Sequence, residues 1–103
     1  MENNLKLIIF PLAQTDLEEI LNYIAHDLCN PSAAISLIYD FEEAFKKICV
    51  FPECCPYINN EYVQDKTLRK LIVNKYIVFY RLKNNEIQVI RILYGMRNYI
   101  ELL

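Results

Sequence analysis

The sequence predicts an α+β domain with the element order β-α-α-β-β-β. Two observations lead to this prediction: apolar residues recur at helical spacing in the first half of the chain, and β-branched and aromatic residues fill the second half. A length of 103 residues fits one domain, residues 1–103, and 54% hydrophobic residues supply ample material for a core. We expect a four-stranded, mainly antiparallel sheet with an antiparallel helix pair packed on one face.

A short strand opens the chain and an amphipathic helix follows it. The apolar run KLIIF, residues 6–10, is ended by Pro11, which is typical of a strand. From Leu12 to Leu28 the apolar residues recur at helical spacing, and the acidic residues lie largely on the other side. The sequence therefore predicts one helix here with an acidic outer face.

A second helix begins directly after the break CNPSAA. Asn30 is a suitable cap, Pro31 suits the first helical position, and helical spacing continues to about Val50. Because the connection is so short, we expect the two helices to pack as an antiparallel hairpin. The next stretch, FPECCPYINNEYVQD, contains two prolines and little periodicity, so we expect a loop.

The remainder of the chain predicts a three-stranded meander. Strand-forming residues fill positions 68–73, 76–82 and 87–94, and the connectors Asn74-Lys75 and Asn84-Asn85 suit tight hairpins. Pairing around the first turn assigns each side chain to one of two faces. We expect the helices to cover the face with Leu71, Val73, Val78 and Tyr80. The open face would carry Lys70, Ile72, Ile77, Phe79 and Arg81.

One charge falls on the face that the helices are expected to cover. Counting from the second turn places Arg91 opposite Val78. A charge on a core face persists only when it is paired, so we expect an acid of the first helix, Asp16 or Glu19, to bind Arg91.

Charge is divided unevenly along the chain. Residues 1–61 carry three lysines and ten acids, a net charge of -7, whereas residues 62–103 carry eight basic residues and three acids, a net charge of +5. Such segregation indicates that the second half meets an anion or an acidic protein. The alternative is a basic sheet that acidic helices neutralise within the fold.

The sequence does not favour a metal, cofactor or membrane site. The four cysteines, Cys29, Cys49, Cys54 and Cys55, come without a secretion signal, so we expect reduced thiols. Adjacent cysteines rarely both bind one ion, and His26 suits a helix end or the surface. No apolar run approaches the roughly 20 residues that span a bilayer, and we expect a cytoplasmic protein.

Several stretches together resemble the RelE/ParE superfamily of type II toxins. They are FPLAQTDLEEILNYIAHDLCNPSAA, the Phe51-Pro52 element, LRKLIVNKYIVFYRL and IRILYGMRN. The resemblance implies a growth-inhibiting toxin, of the kind linked to plasmid stabilization. It further implies a cognate antitoxin that wraps the toxin and usually represses the shared operon, so that operator DNA is reached only through the antitoxin.

The superfamily contains two main classes with different targets. RelE-like members are ribosome-dependent mRNA endonucleases, and ParE-like members inhibit DNA gyrase; the fold does not decide between them. Cleavage of RNA by attack of its own 2′-hydroxyl requires a base to activate that hydroxyl, an acid for the leaving oxygen and positive charge to stabilise the phosphorane. If the chain is a nuclease, the residues that match are Lys70, Arg81, Tyr94 and Arg97, with no metal.

Two departures from the nuclease pattern favour the ParE-like class. Ile77 and Leu68 stand where nucleases place cationic residues, and losing one such charge typically costs about 100-fold to 1,000-fold in rate. Lys70, Arg81 and Arg97 are then expected to contact the target. Arg69 is expected to form a structural ion pair, as Arg91 is with Asp16 or Glu19. A further alternative is an inactive member that serves as an interaction module or co-repressor.

The carboxyl-terminal residues allow two arrangements. Apolar surface at Tyr99, Ile100, Leu102 and Leu103 is either exposed and available to an antitoxin, or folded onto its own domain. The sequence leaves both arrangements open.

Overall fold

The structure, a computed structural model, describes residues 5–96 and 99–103. Its elements are β1 (Lys6–Ile9), α1 (Pro11–Asn22), α2 (Pro31–Val50), β2 (Arg69–Val73), β3 (Tyr76–Lys83) and β4 (Glu86–Tyr94), with a short 3₁₀ turn at Ile100–Leu102. The predicted α+β class and element order are confirmed. Within the described residues, no helix is both long and apolar enough to cross a membrane.

Local signals set the helix ends. The first helix ends earlier than predicted, because α1 stops at Asn22 and Tyr23–Asp27 form a wider π-helical turn. Cys29 adopts a left-handed conformation, with φ of 51°, which breaks the helical path. Asn30 then caps α2 as predicted, since its side-chain oxygen accepts a hydrogen bond from the Ala33 N–H at 3.2 Å.

The sheet has the order β1-β4-β3-β2, so β4 and β3 are central and β1 and β2 lie at the edges. β1 runs parallel to β4, and the other two pairings are antiparallel, which confirms a mainly antiparallel sheet. β1 pairs only with residues 86–89 of β4. The second half of β4 therefore extends past β1 and leaves its edge free to meet α1.

The register agrees with prediction in one hairpin and differs in the other. β2 and β3 pair as expected, with Val73 opposite Tyr76 and Leu71 opposite Val78. Arg91, however, lies opposite Phe79 rather than Val78, so that prediction was wrong. The cause is a bulge: β4 has one residue more than β3 at this point, which shifts every later pairing by one position.

The first core lies between the helices and one face of the sheet. The predicted face is covered as expected, and its four residues are all buried: Leu71, Val73, Val78 and Tyr80. Phe41, Phe45 and Ile48 of α2 pack against them. The apolar side chains that alternate along the strands and those at helical spacing on α2 therefore pack together in one apolar interface.

A second core covers much of the face that was expected to be open. Ile77, Phe79 and Leu93 are buried there. They are covered by the carboxyl-terminal residues and by three residues between α2 and β2: Ile58, Val63 and Leu68. The rings of Phe79 and Tyr99 lie 4.9 Å apart, centroid to centroid. The prediction of an open face was thus wrong for Ile77 and Phe79, because the tail folds onto its own domain.

Candidate functional site

Arg91 joins the sheet, α1 and the tail. Its Nε and Nη2 atoms donate to the two carboxylate oxygens of Asp16 at 2.7 and 2.9 Å, and its Nη1 donates to the Leu102 carbonyl at 3.3 Å. Asp16 also accepts the Ile92 N–H at 3.0 Å, on the β4 edge that β1 does not reach. One carboxylate thus completes the sheet edge and neutralises a largely buried guanidinium.

The environment of Arg91 keeps it charged. The hydrogen bonds with Asp16 raise the pKa of Arg91, against the opposing effect of burial, and the charges of Asp16 and Glu19 add to the rise. Among the described residues, Glu19 forms no hydrogen bond or salt bridge with Arg91, so it acts through its charge alone. Asp16 and Arg91 are therefore each occupied by the other.

Arg69 does not form the ion pair that was expected. Its Nη1 donates to the Cys55 carbonyl at 2.6 Å, and its guanidinium lies 3.8 Å from the centre of the Tyr57 ring. Within the described part of the chain, no carboxylate lies at salt-bridge distance from Arg69. Arg69 therefore fastens the loop after α2 to β2 by a hydrogen bond and a cation–π contact.

Arg81 is held by the same long loop at another point. Its Nη1 lies 2.7 Å from an Asp65 carboxylate oxygen, and its Nε donates to Gln88 at 2.8 Å. Burial acts to raise the pKa of Asp65, but hydrogen bonds from Thr67 and Arg81, with the charge of Arg81, hold it below its ordinary value. To contact a target, the Arg81 guanidinium must therefore either bind it while still paired with Asp65 or first break that ion pair.

The expected nuclease residues do not share one face. Lys70 lies opposite Phe79 in the β2–β3 pair, and Arg81 is two residues farther along β3, so the two cations are diagonal neighbours. Tyr94 lies opposite Tyr76, which packs into the core beneath the helices on the other face of the sheet. Arg97, the fourth residue, lies outside the described residues.

Tyr94 instead lines a cleft between α1 and the ends of β3 and β4. The cleft has a volume of about 530 Å³, and Glu19, Tyr23, Lys75 and Tyr76 line it beside Tyr94. The Tyr94 and Tyr76 rings meet edge to face, with centroids 5.9 Å apart. The sequence did not indicate this cleft, because its lining comes from a helix, a turn and two strands.

The structure offers little for metal coordination. Among the described residues, no group of three or more His, Cys, Asp or Glu side chains is arranged to hold an ion. The two positions at which the resemblance led us to look for nuclease cations are closed to solvent: Leu68 is 3% exposed and Ile77 is 9% exposed, both in the second core. Of the candidate cations in the part of the chain that the structure describes, Lys70 and Arg81 lie on this face.

Comparison with known proteins identifies the family. Residues 7–99 match the family model described as ParE toxin of type II toxin–antitoxin system, parDE. The chain belongs to this toxin family. The match includes β1 apart from its first residue, both long helices and the other three strands, so the resemblance noted in the sequence is confirmed.

Solved structures of toxin–antitoxin systems share the fold of this ParE-family toxin. A chain from the chromosomal ParDE system of P. aeruginosa is 22% identical with a TM-score of 0.72, and the match covers 90% of this chain and 98% of that one. A chain from the RelBE2 toxin–antitoxin complex of Mycobacterium tuberculosis is 14% identical with a TM-score of 0.61, covering 88% and 98%. No curated protein sequence matches significantly. Because both classes share this fold, the target must be argued from the side chains.

Proposed function

We propose that this toxin acts in the ParE-like manner, by stabilising DNA gyrase on DNA, and that it has no catalytic machinery of its own. The observation that carries the proposal is the burial of Leu68 and Ile77 in the second core. Each stands where the nuclease class is expected to carry a cation, and one missing cation typically lowers a rate by about 100-fold to 1,000-fold. Two missing cations leave little nuclease activity.

The positions of the remaining candidates support the same proposal. A nuclease needs its base, acid and cations around one phosphate, within hydrogen-bond reach of the reacting atoms. Tyr94 lies on the helix-covered side of the sheet, whereas Lys70 and Arg81 lie on the other side. Arg81 is moreover paired with Asp65. This separation suits a binding surface better than a catalytic centre.

Lys70, Arg81 and Arg97 are the proposed contacts with gyrase. Lys70 is half-buried on β2, and its backbone N–H donates to the Pro56 carbonyl at 3.1 Å, so the strand beneath its side chain is held in place. Because this backbone is already ordered, binding restricts only the Lys70 side chain and not the strand beneath it, which favours an energetic contact. Basic side chains also steer the protein toward an acidic surface or DNA.

A cognate antitoxin is the proposed partner of the free toxin. The two solved structures described above come from toxin–antitoxin systems. In this chain, Ile35, Ile38 and Tyr39 are exposed on α2 at positions i, i+3 and i+4, which places them on one side of the helix. An antitoxin that covers this apolar stripe would remove it from water.

The proposal is tested by assaying both targets with the same preparation. The purified chain is added to gyrase with relaxed plasmid DNA and, separately, to translating ribosomes that carry a defined mRNA. We expect supercoiling to be inhibited and the mRNA to stay intact. Lys70→Ala should weaken gyrase inhibition by about tenfold, the effect of a contact worth about 1.4 kcal/mol. Lys46→Ala is the matched control, because Lys46 is exposed on α2, and it should have no effect.

Other outcomes point to the other functions. Cleavage of the mRNA in phase with codons, with unaffected supercoiling, would contradict the gyrase proposal and indicate a RelE-like nuclease. A folded chain that is inactive in both assays would also contradict the gyrase proposal and indicate a family member that serves as an interaction module or co-repressor.

A further inference from the structure

Two adjacent thiols meet in the turn that follows α2. The Sγ atoms of Cys54 and Cys55 lie 3.5 Å apart, and the Cys54 side chain is exposed while Cys55 is half-buried. Adjacency alone does not produce this contact, because successive side chains in an extended chain point to opposite sides. The conformation of the turn therefore places both sulfurs on one side.

The turn is fastened on both sides of the cysteine pair. The Cys54 N–H donates to the Phe51 carbonyl at 3.1 Å, and Arg69 donates to the Cys55 carbonyl at 2.6 Å. The buried Tyr80 hydroxyl donates to the Pro52 carbonyl at 2.8 Å. These hydrogen bonds tie the turn to two strands, so the two thiols are held together before any ligand arrives, which favours binding.

Neither a disulfide nor a structural metal accounts well for the pair. Adjacent Cα atoms are about 3.8 Å apart across a trans peptide, closer than the roughly 4.4–6.8 Å of most disulfides, so a direct bond would be strained. A structural zinc site takes four ligands. Among the described residues no third cysteine, histidine or carboxylate completes such a set.

We propose that Cys54 and Cys55 form a dithiol site for trivalent arsenicals, which need only two sulfur ligands beside a third substituent. With an organoarsenic oxide, the two S–H bonds and the As=O bond break and two As–S bonds form. The oxygen leaves as water with both protons, and no oxidant or reductant is needed. The ring closed through arsenic contains one atom more than a vicinal disulfide ring, which relieves the strain of the direct bond.

The environments of the two thiols suggest the order of the steps. Burial raises the pKa of the Cys55 thiol, against the opposing effect of a hydrogen bond with Tyr80 and with Cys54 adding to the rise, and Cys55 packs against the first core. Exposed Cys54 therefore forms the first As–S bond. Cys55 then closes the ring as an intramolecular step at high effective concentration.

The test uses phenylarsine oxide and intact-mass measurement of the full-length chain. The wild type should gain the mass of one phenylarsine oxide minus one water. It should keep this group in the presence of excess monothiol but release it to a dithiol competitor. Cys54→Ser and Cys55→Ser should each release it at about 100-fold lower monothiol concentration, because one As–S bond replaces two. Cys29→Ser and Cys49→Ser are the matched controls and should behave like the wild type.

Two results would overturn the site. One is retention by the wild type no tighter than by the Cys54 and Cys55 variants. The other is loss of retention in the Cys29 or Cys49 variant, which would assign the dithiol to different residues. Circular dichroism of each variant establishes that it is folded, and the double variant Cys29→Ser with Cys49→Ser, which keeps only the proposed pair, should still bind one arsenical tightly.

Discussion

Removal of Asp16 should cause a large and specific loss of stability. In Asp16→Ala, the Arg91 guanidinium keeps its place, with only 14% of its side chain exposed, but it loses its carboxylate. Breaking a buried ion pair by removing one partner typically costs about 3–5 kcal/mol, because the other charge is left uncompensated. The change also removes the acceptor of the Ile92 N–H. We therefore expect the free energy of unfolding to fall by about 3–5 kcal/mol.

Urea unfolding of the purified chain measures this loss as a lower midpoint at an unchanged slope. Glu18→Ala is the matched control, because Glu18 is an exposed acid on the same helix, and its effect should stay within about 0.5 kcal/mol. Asp16→Ala combined with Arg91→Met removes both charges and should be more stable than Asp16→Ala alone. A loss below about 1 kcal/mol in Asp16→Ala, typical of exposed pairs, would refute the reasoning.

Three further predictions concern the loop and the second core. Asp65→Asn should lower the free energy of unfolding at neutral pH by about 0.2–1 kcal/mol. Because the Asp65 pKa lies below its ordinary value of 3.8, that difference should disappear as acid titration passes below pH 3.8, and a constant difference would contradict the pair. Ile77→Arg should destabilise the fold by about 2–3 kcal/mol in urea unfolding, whereas Ile72→Arg, at a 67% exposed position opposite it, should change stability by less than about 0.5 kcal/mol. Tyr80→Phe should cost about 0.5–1.5 kcal/mol in the same assay by removing its hydroxyl bond, while exposed Tyr39→Phe should cost nothing measurable.

Local patterns made the elements and one register predictable. Asn74, Asn84 and Asn85 adopt positive φ values of 54°, 54° and 61°, which asparagine tolerates better than most residues, so the turns could be located from the sequence. With the first turn located, period-two alternation determined the β2–β3 faces. The bulge in β4 was not predictable in this way, because in the run IQVIRILY each alternating face carries one strongly polar residue, Gln88 or Arg91, among apolar ones, so the pattern does not distinguish the two registers.

Contacts between residues far apart in the sequence were predictable only where a buried charge required an oppositely charged partner. The sequence indicated that Arg91 needs an acid, and Asp16 was one of two expected acids, although the bulge places Arg91 on a different face from the one expected. The Asp65–Arg81 pair depends on how a long irregular loop crosses the sheet, and periodicity carries no information on such a path. The same holds for the tail that covers Phe79.

The central claim, that this ParE-family toxin acts on gyrase, is tested most directly in growing cells. The chain is induced alone in a bacterial host, and the incorporation of labelled thymidine and labelled methionine is followed over the first minutes, with co-expression of an adjacent antitoxin frame as the control. A gyrase inhibitor should stop thymidine incorporation before methionine incorporation, and the antitoxin should restore both. Methionine incorporation that stops first would contradict the claim and make Lys70, Arg81, Tyr94 and Arg97 the candidate nuclease residues.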